Sequence, residues 1–244
     1  MNDEFKLIIV IPCYRHAHTL AGNISLLKKH NLPILIVDDG NTTPQSDILK
    51  KLEDENIILI RNDKNMGKGY SVTKGFLEAY RLGYTHALQI DADGQQDIKQ
   101  VSEFARYART EPHVLICGRP QYRNVPLHRY IARFLTHFWV SVELGLPQII
   151  DSMCGLRVYP LEHTVALLNK RSIGNRMSFD TEILVRLYWS GTDFKFYNIS
   201  VEYPADGISN FSPIKDNIEI SVMHTKLCIE KIFNFIKVHR RTYI

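Results

Sequence analysis

Short apolar runs, rich in β-branched residues, alternate in the first half of the chain with segments long enough to form helices. Five of these runs lie at positions 7–11, 34–37, 57–60, 86–90 and 114–117. An apolar run without polar alternation is typical of a strand that is buried on both faces, as in a parallel sheet. Strands and helices in alternation favour a doubly wound arrangement. The sequence therefore predicts an α/β fold with a mostly parallel sheet flanked by helices.

The composition is that of an ordinary globular protein. Of the 244 residues, 45% are hydrophobic and 23% are charged, which excludes a disordered or fibrous chain. The formal net charge of +4 is too small to indicate a nucleic-acid partner. The longest uninterrupted apolar run, at 7–11, is far shorter than the roughly 18 residues of a membrane span. The cysteines are few and widely separated, which predicts reduced thiols in a cytoplasmic protein.

Acidic residues follow the fourth apolar run, at the edge of the sheet where open α/β proteins bind ligands. Asp91 and Asp93 are one residue apart, and Gly94 permits a turn that directs both carboxylates at one cation. Mg²⁺ or Mn²⁺ suits such oxygen ligands, and Gln95 adds a carbonyl oxygen. The alternative is an ordinary solvated or helix-capping turn.

Two further loops of the first half contain polar residues that suit a nucleotide. Asp38 and Asp39 end the second run, where a carboxylate can accept hydrogen bonds from a ribose or a nucleobase, or can simply cap a turn. Lys68, between Gly67 and Gly69, precedes a helix and can meet phosphate there. Neither the P-loop pattern nor the dinucleotide fingerprint is present, which disfavours P-loop kinases and nicotinamide dehydrogenases.

The second half supplies basic side chains. Arg119 is followed by Arg129 and Arg133, which are four residues apart and share one face of a helix. Guanidinium groups at this spacing suit a phosphate, and the alternative is a solvated basic helix face.

Acidic side chains and one histidine of the second half have two interpretations each. Asp180 begins a helical segment, so it is either a capping residue or a functional carboxylate, which would act as a general base, with Glu182 as the reserve base, or would orient the acceptor. His224 is either a core or surface residue or a ligand of the metal or the diphosphate.

The last part of the chain has apolar residues in helical periodicity. They run from position 218 to 236 and are followed by Lys237, Arg240 and Arg241. One interpretation is an amphipathic helix in peripheral contact with the inner face of the cytoplasmic membrane. The other is a terminal helix that packs on the core.

Several of these segments occur together in an order that resembles family-2 glycosyltransferases. The segments are 10–14 (VIPCY), 37–40 (VDDG), 65–69 (NMGKG) and 91–95 (DADGQ). Positions 118–119, 151–159 and 179–182 resemble the dolichol- or polyprenyl-phosphate mannose synthase branch and its bacterial relatives. The resemblance covers about residues 5–205.

The resemblance implies a GT-A fold and a metal-dependent, inverting transfer. The donor would be a UDP- or GDP-sugar and the acceptor a lipid phosphate or a lipid-like hydroxyl, in cell-envelope synthesis. We expect a nucleotide-sugar half at 1–118, an acceptor-side half at 119–213 and a C-terminal helical segment at 214–244. The alternatives are a nucleotidyltransferase acting on sugar phosphates and a catalytically silent nucleotide-sugar-binding module.

The resemblance also implies roles for single residues. The nucleotide pocket would be lined by Pro12, Tyr14, Asp39 and Lys68, and the metal would be held by Asp91, Asp93 and Gln95. Arg119 and Arg129 would meet the acceptor phosphate. Arg15 and His16 depart from the family's usual pair after the tyrosine, so the nucleotide stays open.

Overall fold

A seven-stranded sheet organises the chain in a computed structural model that describes residues 4–121, 127–147, 150–200 and 212–241, without the side chains of 127–133, 213 and 234–241. The strands are β1 (Leu7–Cys13), β2 (Ile34–Asp38), β3 (Ile57–Arg61), β4 (His86–Gln89), β5 (Leu115–Gln121), β6 (Arg157–Pro160) and β7 (Phe194–Ser200). The helices are α1 (Ala17–Lys28), α2 (Gln45–Lys50), α3 (Lys68–Arg81), α4 (Val101–Thr110), α5 (Leu127–Leu144), α6 (Leu161–Lys170), α7 (Phe179–Trp189) and α8 (Pro213–Arg241).

The strands lie in the order β3-β2-β1-β4-β6-β5-β7. β6 is antiparallel to β4 and β5, and the other neighbouring pairs are parallel. The predicted α/β fold with a mostly parallel sheet is confirmed, and the five apolar runs form β1 to β5. β6 and β7 extend the sheet beyond this prediction. Position 118 lies inside β5, so strands from both expected halves belong to one sheet.

Helices cover both faces of the sheet because alternate residues of each strand point to opposite sides. In β1, Ile8 and Val10 belong to the hydrophobic cluster that includes residues of α3, α5, α6, α7 and α8, whereas Ile9 and Ile11 belong to the cluster on the other face, with residues of α1, α2 and α4. All four side chains are fully buried. The polar loops at the carboxyl ends of the strands are thereby held on a rigid core.

α8 packs on this core through Ile220, Met223 and Leu227, so the core-packing interpretation of the terminal segment is correct for one face of the helix. Among the described residues, no helix combines the length and the apolar character that are needed to cross a bilayer.

Candidate active site

A cavity of about 440 Å³ opens at the carboxyl ends of β1, β2 and β4. It lies where the loops leave the sheet, which is the usual ligand site of an open α/β fold. The predicted residues that line it are Pro12, Tyr14, Asp39, Lys68, Asp91, Asp93 and Gln95. The second half of the chain completes the wall with Arg176, Met177, Ser212 and Asp216.

Lys68 joins two carboxylates at the base of the site. Its Nζ lies 2.8 Å from Oδ1 of Asp91 and 2.8 Å from Oδ2 of Asp180. Burial alone would lower the pKa of Lys68, but the charges of Asp180 and Asp91 outweigh it and raise the pKa above its usual value. The lysine is therefore a permanent cation that links α3 and α7 to the loop after β4.

Asp91 is held by two residues that the sequence prediction missed. Nε2 of Gln96 donates to Oδ2 of Asp91, and the backbone N–H of Asp91 donates to Oε1 of Gln96, both at 3.1 Å. A Cβ atom on Gly155 would lie 2.4 Å from Oδ2 of Asp91, so any side chain at this position would displace the carboxylate. Nothing in the spacing of residues 64 positions apart indicates this contact.

The loop after β4 has a donor set that suits a divalent cation. The pKa of Asp91 is raised to about 6, first by burial and then by the charges of Asp93 and Asp180, against the opposing effect of Lys68. A nearby cation would stabilise the ionised form of such a carboxylate. Asp93 also lines the cavity, and its Oδ1 accepts from the backbone N–H of Gln95 at 3.0 Å across the turn at Gly94.

Two carboxylates and an amide oxygen are hard ligands, and Mg²⁺ commonly takes its remaining ligands from water and substrate phosphates. The residues therefore fit the predicted cation. Within the described part of the chain, no group of three or more His, Cys, Asp or Glu side chains is arranged to hold a metal.

Asp39 lines the cavity and also fixes its wall. Its two carboxylate oxygens accept hydrogen bonds from the side chains of Asn62 and Asn65 and from the backbone N–H groups of Met66 and Gly67, at 2.8–2.9 Å. These bonds shape the loop that precedes α3.

Asp38 is buried and is not among the residues that line the cavity. Its Oδ1 accepts from the backbone and side-chain nitrogens of Asn41 at 2.8 and 2.7 Å, and Arg61 lies 3.6 Å from its Oδ2. Asn41 in turn accepts from the backbone N–H of Arg15 at 2.7 Å. Asp38 therefore orders the loop that carries Tyr14 and Arg15.

The glycines on either side of Lys68 make room for a loop of the second half. A Cβ at Gly67 would lie 2.4 Å from the carbonyl oxygen of Asn175, and one at Gly69 would lie 2.2 Å from that of Gly174. This close approach brings Arg176 to the cavity, where its guanidinium donates to Oδ1 of Asn65 at 3.3 Å. The sequence analysis did not single out Arg176.

Asp180 and Glu182 lie beside the cavity without lining it. Oδ1 of Asp180 accepts from Nε2 of Gln89 at 2.9 Å, and its Oδ2 faces Lys68. Glu182 accepts from the backbone N–H of Gly174 and from Arg186, both at 2.8 Å. These hydrogen bonds and ion pairs connect α7 to β4 and to the loop that precedes α7.

Of the three predicted arginines, the structure describes the side chain of Arg119. Arg119 is exposed on β5, with its guanidinium carbon 5.3 Å from the ring centre of Phe196, and it does not line the cavity. Arg129 and Arg133 belong to α5, and their side chains lie outside the described residues. Among the described side chains, the arginines that line the cavity are Arg15 and Arg176.

His224 is buried between α5 and α8 rather than at the cavity. Its Nδ1 lies 2.7 Å from Oε1 of Glu143, which is also buried. Two turns earlier on α8, Asp216 does line the cavity, and its Oδ2 accepts from the backbone N–H of Ser212 at 2.6 Å. Asp216 is a further residue that the sequence prediction missed.

Comparisons with a family model and with the sequences of known proteins point to the same class of enzyme. The model of a family described as glycosyl transferase family 2 matches residues 8–173. The UDP-N-acetylglucosamine–dolichyl-phosphate N-acetylglucosaminyltransferase of Methanococcus voltae is 26% identical over 201 residues, which cover 74% of this chain and 79% of that protein. The dolichyl-phosphate beta-glucosyltransferase of Saccharomyces cerevisiae is 27% identical over 224 residues, which cover 75% of this chain and 63% of that protein.

The structural comparison identifies the fold. Glucosyl-3-phosphoglycerate synthase from Mycobacterium tuberculosis, solved in complex with Mn²⁺, UDP-glucose and phosphoglyceric acid, superposes with a TM-score of 0.69. The match covers 93% of this chain and 79% of that chain at 12% identity. The predicted GT-A fold is confirmed.

Proposed function

The chain belongs to glycosyl transferase family 2, and on this premise we propose that it transfers a sugar from a UDP-sugar to a phosphate carried by a lipid, with inversion at the anomeric carbon. The observation that carries the proposal is that Asp91, Asp93, Lys68 and Arg176 line the same cavity. It combines two carboxylates for a cation with two cationic side chains for phosphate, which are the groups that a diphosphate leaving group needs.

The nucleotide is proposed to occupy the end of the cavity formed by Pro12, Tyr14 and Asp39. These residues follow β1 and β2, at the sheet edge where α/β proteins bind nucleotides. A uridine nucleotide is favoured because the Methanococcus relative is named for a UDP-sugar and the mycobacterial structure contains one.

Asp91, Asp93 and Gln95 would hold Mg²⁺ or Mn²⁺, which when bound supplies positive charge to the leaving diphosphate. The chain contributes more positive charge of its own. Lys68 stays protonated between Asp91 and Asp180, and Arg176 lines the same wall. These fixed charges favour the transition state because they need no reorganisation as charge develops.

The acceptor is proposed to be a phosphate because the two acids first considered as general bases are already engaged. Asp180 is bonded to Gln89 and Lys68, and Glu182 accepts from Gly174 and Arg186. An ionised phosphate oxygen needs no base. The arginines at the cavity, Arg15 and Arg176, have only to orient it for attack opposite the leaving group. The relatives named for dolichyl phosphate support this acceptor class.

A radiochemical transfer assay tests the proposal. The purified chain is incubated with labelled UDP-glucose, UDP-N-acetylglucosamine or GDP-mannose, a polyprenyl phosphate in detergent, and Mn²⁺ or EDTA. We expect metal-dependent label in the organic phase with one UDP-sugar, in a product whose anomeric configuration by NMR is opposite to that of the donor. Label from GDP-mannose alone would contradict the nucleotide assignment.

Two variants show whether transfer depends on the cavity. Asp93→Asn should lose transfer while it keeps the far-UV circular dichroism of the parent chain, and Asp63→Asn, at an exposed position outside the cavity, should keep transfer. Consumption of a nucleoside triphosphate with a sugar phosphate would indicate a nucleotidyltransferase instead. Binding of nucleotide sugars without any transfer would indicate a silent binding module.

A further inference from the structure

α8 has apolar residues on two opposite faces. One face packs on the core, whereas six apolar side chains on the other are 46–78% exposed: Ile214, Ile218, Val222, Ile229, Ile232 and Phe233. Their spacing of mostly three, four or seven positions keeps them on one side of the helix. A helix that is apolar on both sides is typical of one that is covered on both sides.

α5 presents a second exposed apolar face beside the first. Phe134, Leu135, Phe138, Trp139 and Val142 are 42–54% exposed, while Val140 and Leu144 on the opposite side are buried. The two helices are in contact, because His224 meets Glu143 and Nζ of Lys231 donates to the carbonyl oxygen of Val142. We refer to these eleven exposed side chains of α5 and α8 as the α5–α8 apolar surface.

The acidic residues of α8 and two of its lysines differ in their contacts. Its acids contact the rest of the protein: Asp216 accepts from Ser212, Glu219 accepts from Ser178, and Glu230 pairs with Arg171 and Arg186. Lys215 and Lys226 are exposed, and the helix ends in a segment with Lys237, Arg240 and Arg241. An apolar face accompanied by lysines and arginines complements the surface of an anionic bilayer.

The α5–α8 apolar surface begins at the mouth of the catalytic cavity. Ser212 and Asp216 line the cavity, and Ile214, between them in sequence, is 78% exposed, the highest value among the large apolar residues whose side chains the structure describes. A protein that rested on a bilayer through this surface would therefore hold the cavity mouth close to the lipid headgroups, where a lipid-borne phosphate is found.

We propose that the α5–α8 apolar surface docks on an anionic lipid bilayer. Docking itself follows from the exposed apolar and basic side chains, and its purpose, the capture of a lipid acceptor, rests on the proposed function. The aromatic side chains of α5 suit the depth of the headgroups, where amphipathic helices insert. The bilayer is favoured over a second copy of the chain because the exposed charged residues of α8 beside this surface, Lys215 and Lys226, are both positive.

Vesicle flotation of the full chain tests the proposal. Vesicles of phosphatidylcholine alone are compared with vesicles that also contain phosphatidylglycerol. We expect co-flotation with the anionic vesicles that weakens as salt is raised. Two double variants, Ile218→Ser/Val222→Ser on α8 and Phe138→Ser/Trp139→Ser on α5, should each lower the bound fraction by about tenfold or more, because each removes two side chains that partition into the bilayer.

A matched control separates docking from a general loss of apolar surface. Leu77→Ser/Leu82→Ser removes two side chains that are each 39% exposed, one in α3 and one directly after it, and should leave flotation unchanged. Each variant is checked by circular dichroism and by thermal stabilisation with UDP and Mn²⁺. Transfer to a short, water-soluble prenyl phosphate reports the proposed function independently of docking, so the two proposals can fail separately.

The outcomes are distinct. Loss of flotation in the α5 and α8 variants, with retained fold and donor binding, supports the bilayer. Absence of flotation for the parent chain, or equal flotation of all variants, overturns the proposal. Light scattering that finds a dimer of the parent chain, which the same variants dissociate, together with no vesicle binding, would assign the surface to a second copy.

Discussion

Gly155 lies directly against the carboxylate of Asp91: a Cβ atom at this glycine would be 2.4 Å from Oδ2, and 2.9 Å from both Oδ1 and Cγ. The loop after β4 and the segment before β6 therefore fit together only because one of them lacks a side chain. The position of Asp91, a proposed metal ligand, therefore depends on the absence of a side chain at Gly155.

Gly155→Ala should displace Asp91 and disrupt the site. We expect a loss of about 1–3 kcal/mol in the free energy of unfolding, typical of overpacking, and a loss of the thermal stabilisation by UDP with Mn²⁺. Gly22→Ala is the control, because a Cβ at Gly22 in α1 meets nothing within 4 Å and alanine favours the helix. A Gly155→Ala chain that bound UDP and Mn²⁺ normally would contradict the proposed role of Asp91.

Lys68→Met should be strongly destabilising because it leaves Asp91 and Asp180 facing each other without their shared cation. Removal of one partner from a buried ion pair costs about 3–5 kcal/mol, and this group keeps 18% of its side chain exposed, so we expect the lower end of that range. Urea unfolding measures the loss. Lys50→Met, on the exposed side of α2, should have little effect, and equal stability of the two variants would show that the contact contributes nothing.

We expect Glu143 to make the stability of the α5–α8 contact dependent on pH. Burial raises the pKa of Glu143, although His224 and Lys231 act in the opposite direction and Cys228 also faces it. A carboxyl whose pKa is raised by folding binds its proton more tightly in the native state. Its contribution to stability is therefore largest below the ordinary pKa and is lost as the pH rises through the folded value.

Glu143→Gln keeps a side-chain oxygen for His224 and removes this titration. Compared with the parent chain, the variant should lose less stability as the pH is raised from the acid range towards neutrality. Thermal unfolding of both chains across that range gives the comparison. Parallel curves for the two proteins would show that Glu143 has no raised pKa.

The strands that the sequence predicted are those whose local pattern is unambiguous. β1 to β4 have nearly continuous apolar runs because helices cover both of their faces, whereas β6 is only four residues long and begins with Arg157. That arginine is fully buried and donates to the backbone carbonyls of Ser152 and Asp180, so its polarity conceals a core strand. β7 is an edge strand like β3, but Lys195, Asn198 and Ser200 interrupt its apolar residues, so its apolar signal is weak.

The same contrast between local pattern and long-range packing explains which residues of the site could be predicted. Asp91 and Asp93 were predictable because they follow a recognisable strand, and their chemistry is evident from their spacing. Arg176 and Asp216 reach the cavity only through the packing of the second half on α3, and no local pattern marks them. His224 had a plausible residue type for a metal, yet its partner Glu143 is 81 positions away and fixes it in the core.

Asp216→Asn distinguishes the two acceptor classes. Asp216 lines the cavity, so it is the acid that a hydroxyl acceptor would use as a base, whereas a phosphate acceptor is already ionised. Asparagine keeps a side-chain oxygen that can accept from Ser212, so the start of α8 should be preserved. With a polyprenyl phosphate acceptor we expect kcat to change by less than about tenfold and its pH profile to stay the same. A fall of about 10²–10⁴ in kcat, with the basic group lost from the pH profile, would show that Asp216 removes a proton during transfer and would contradict the proposal that the acceptor needs no base.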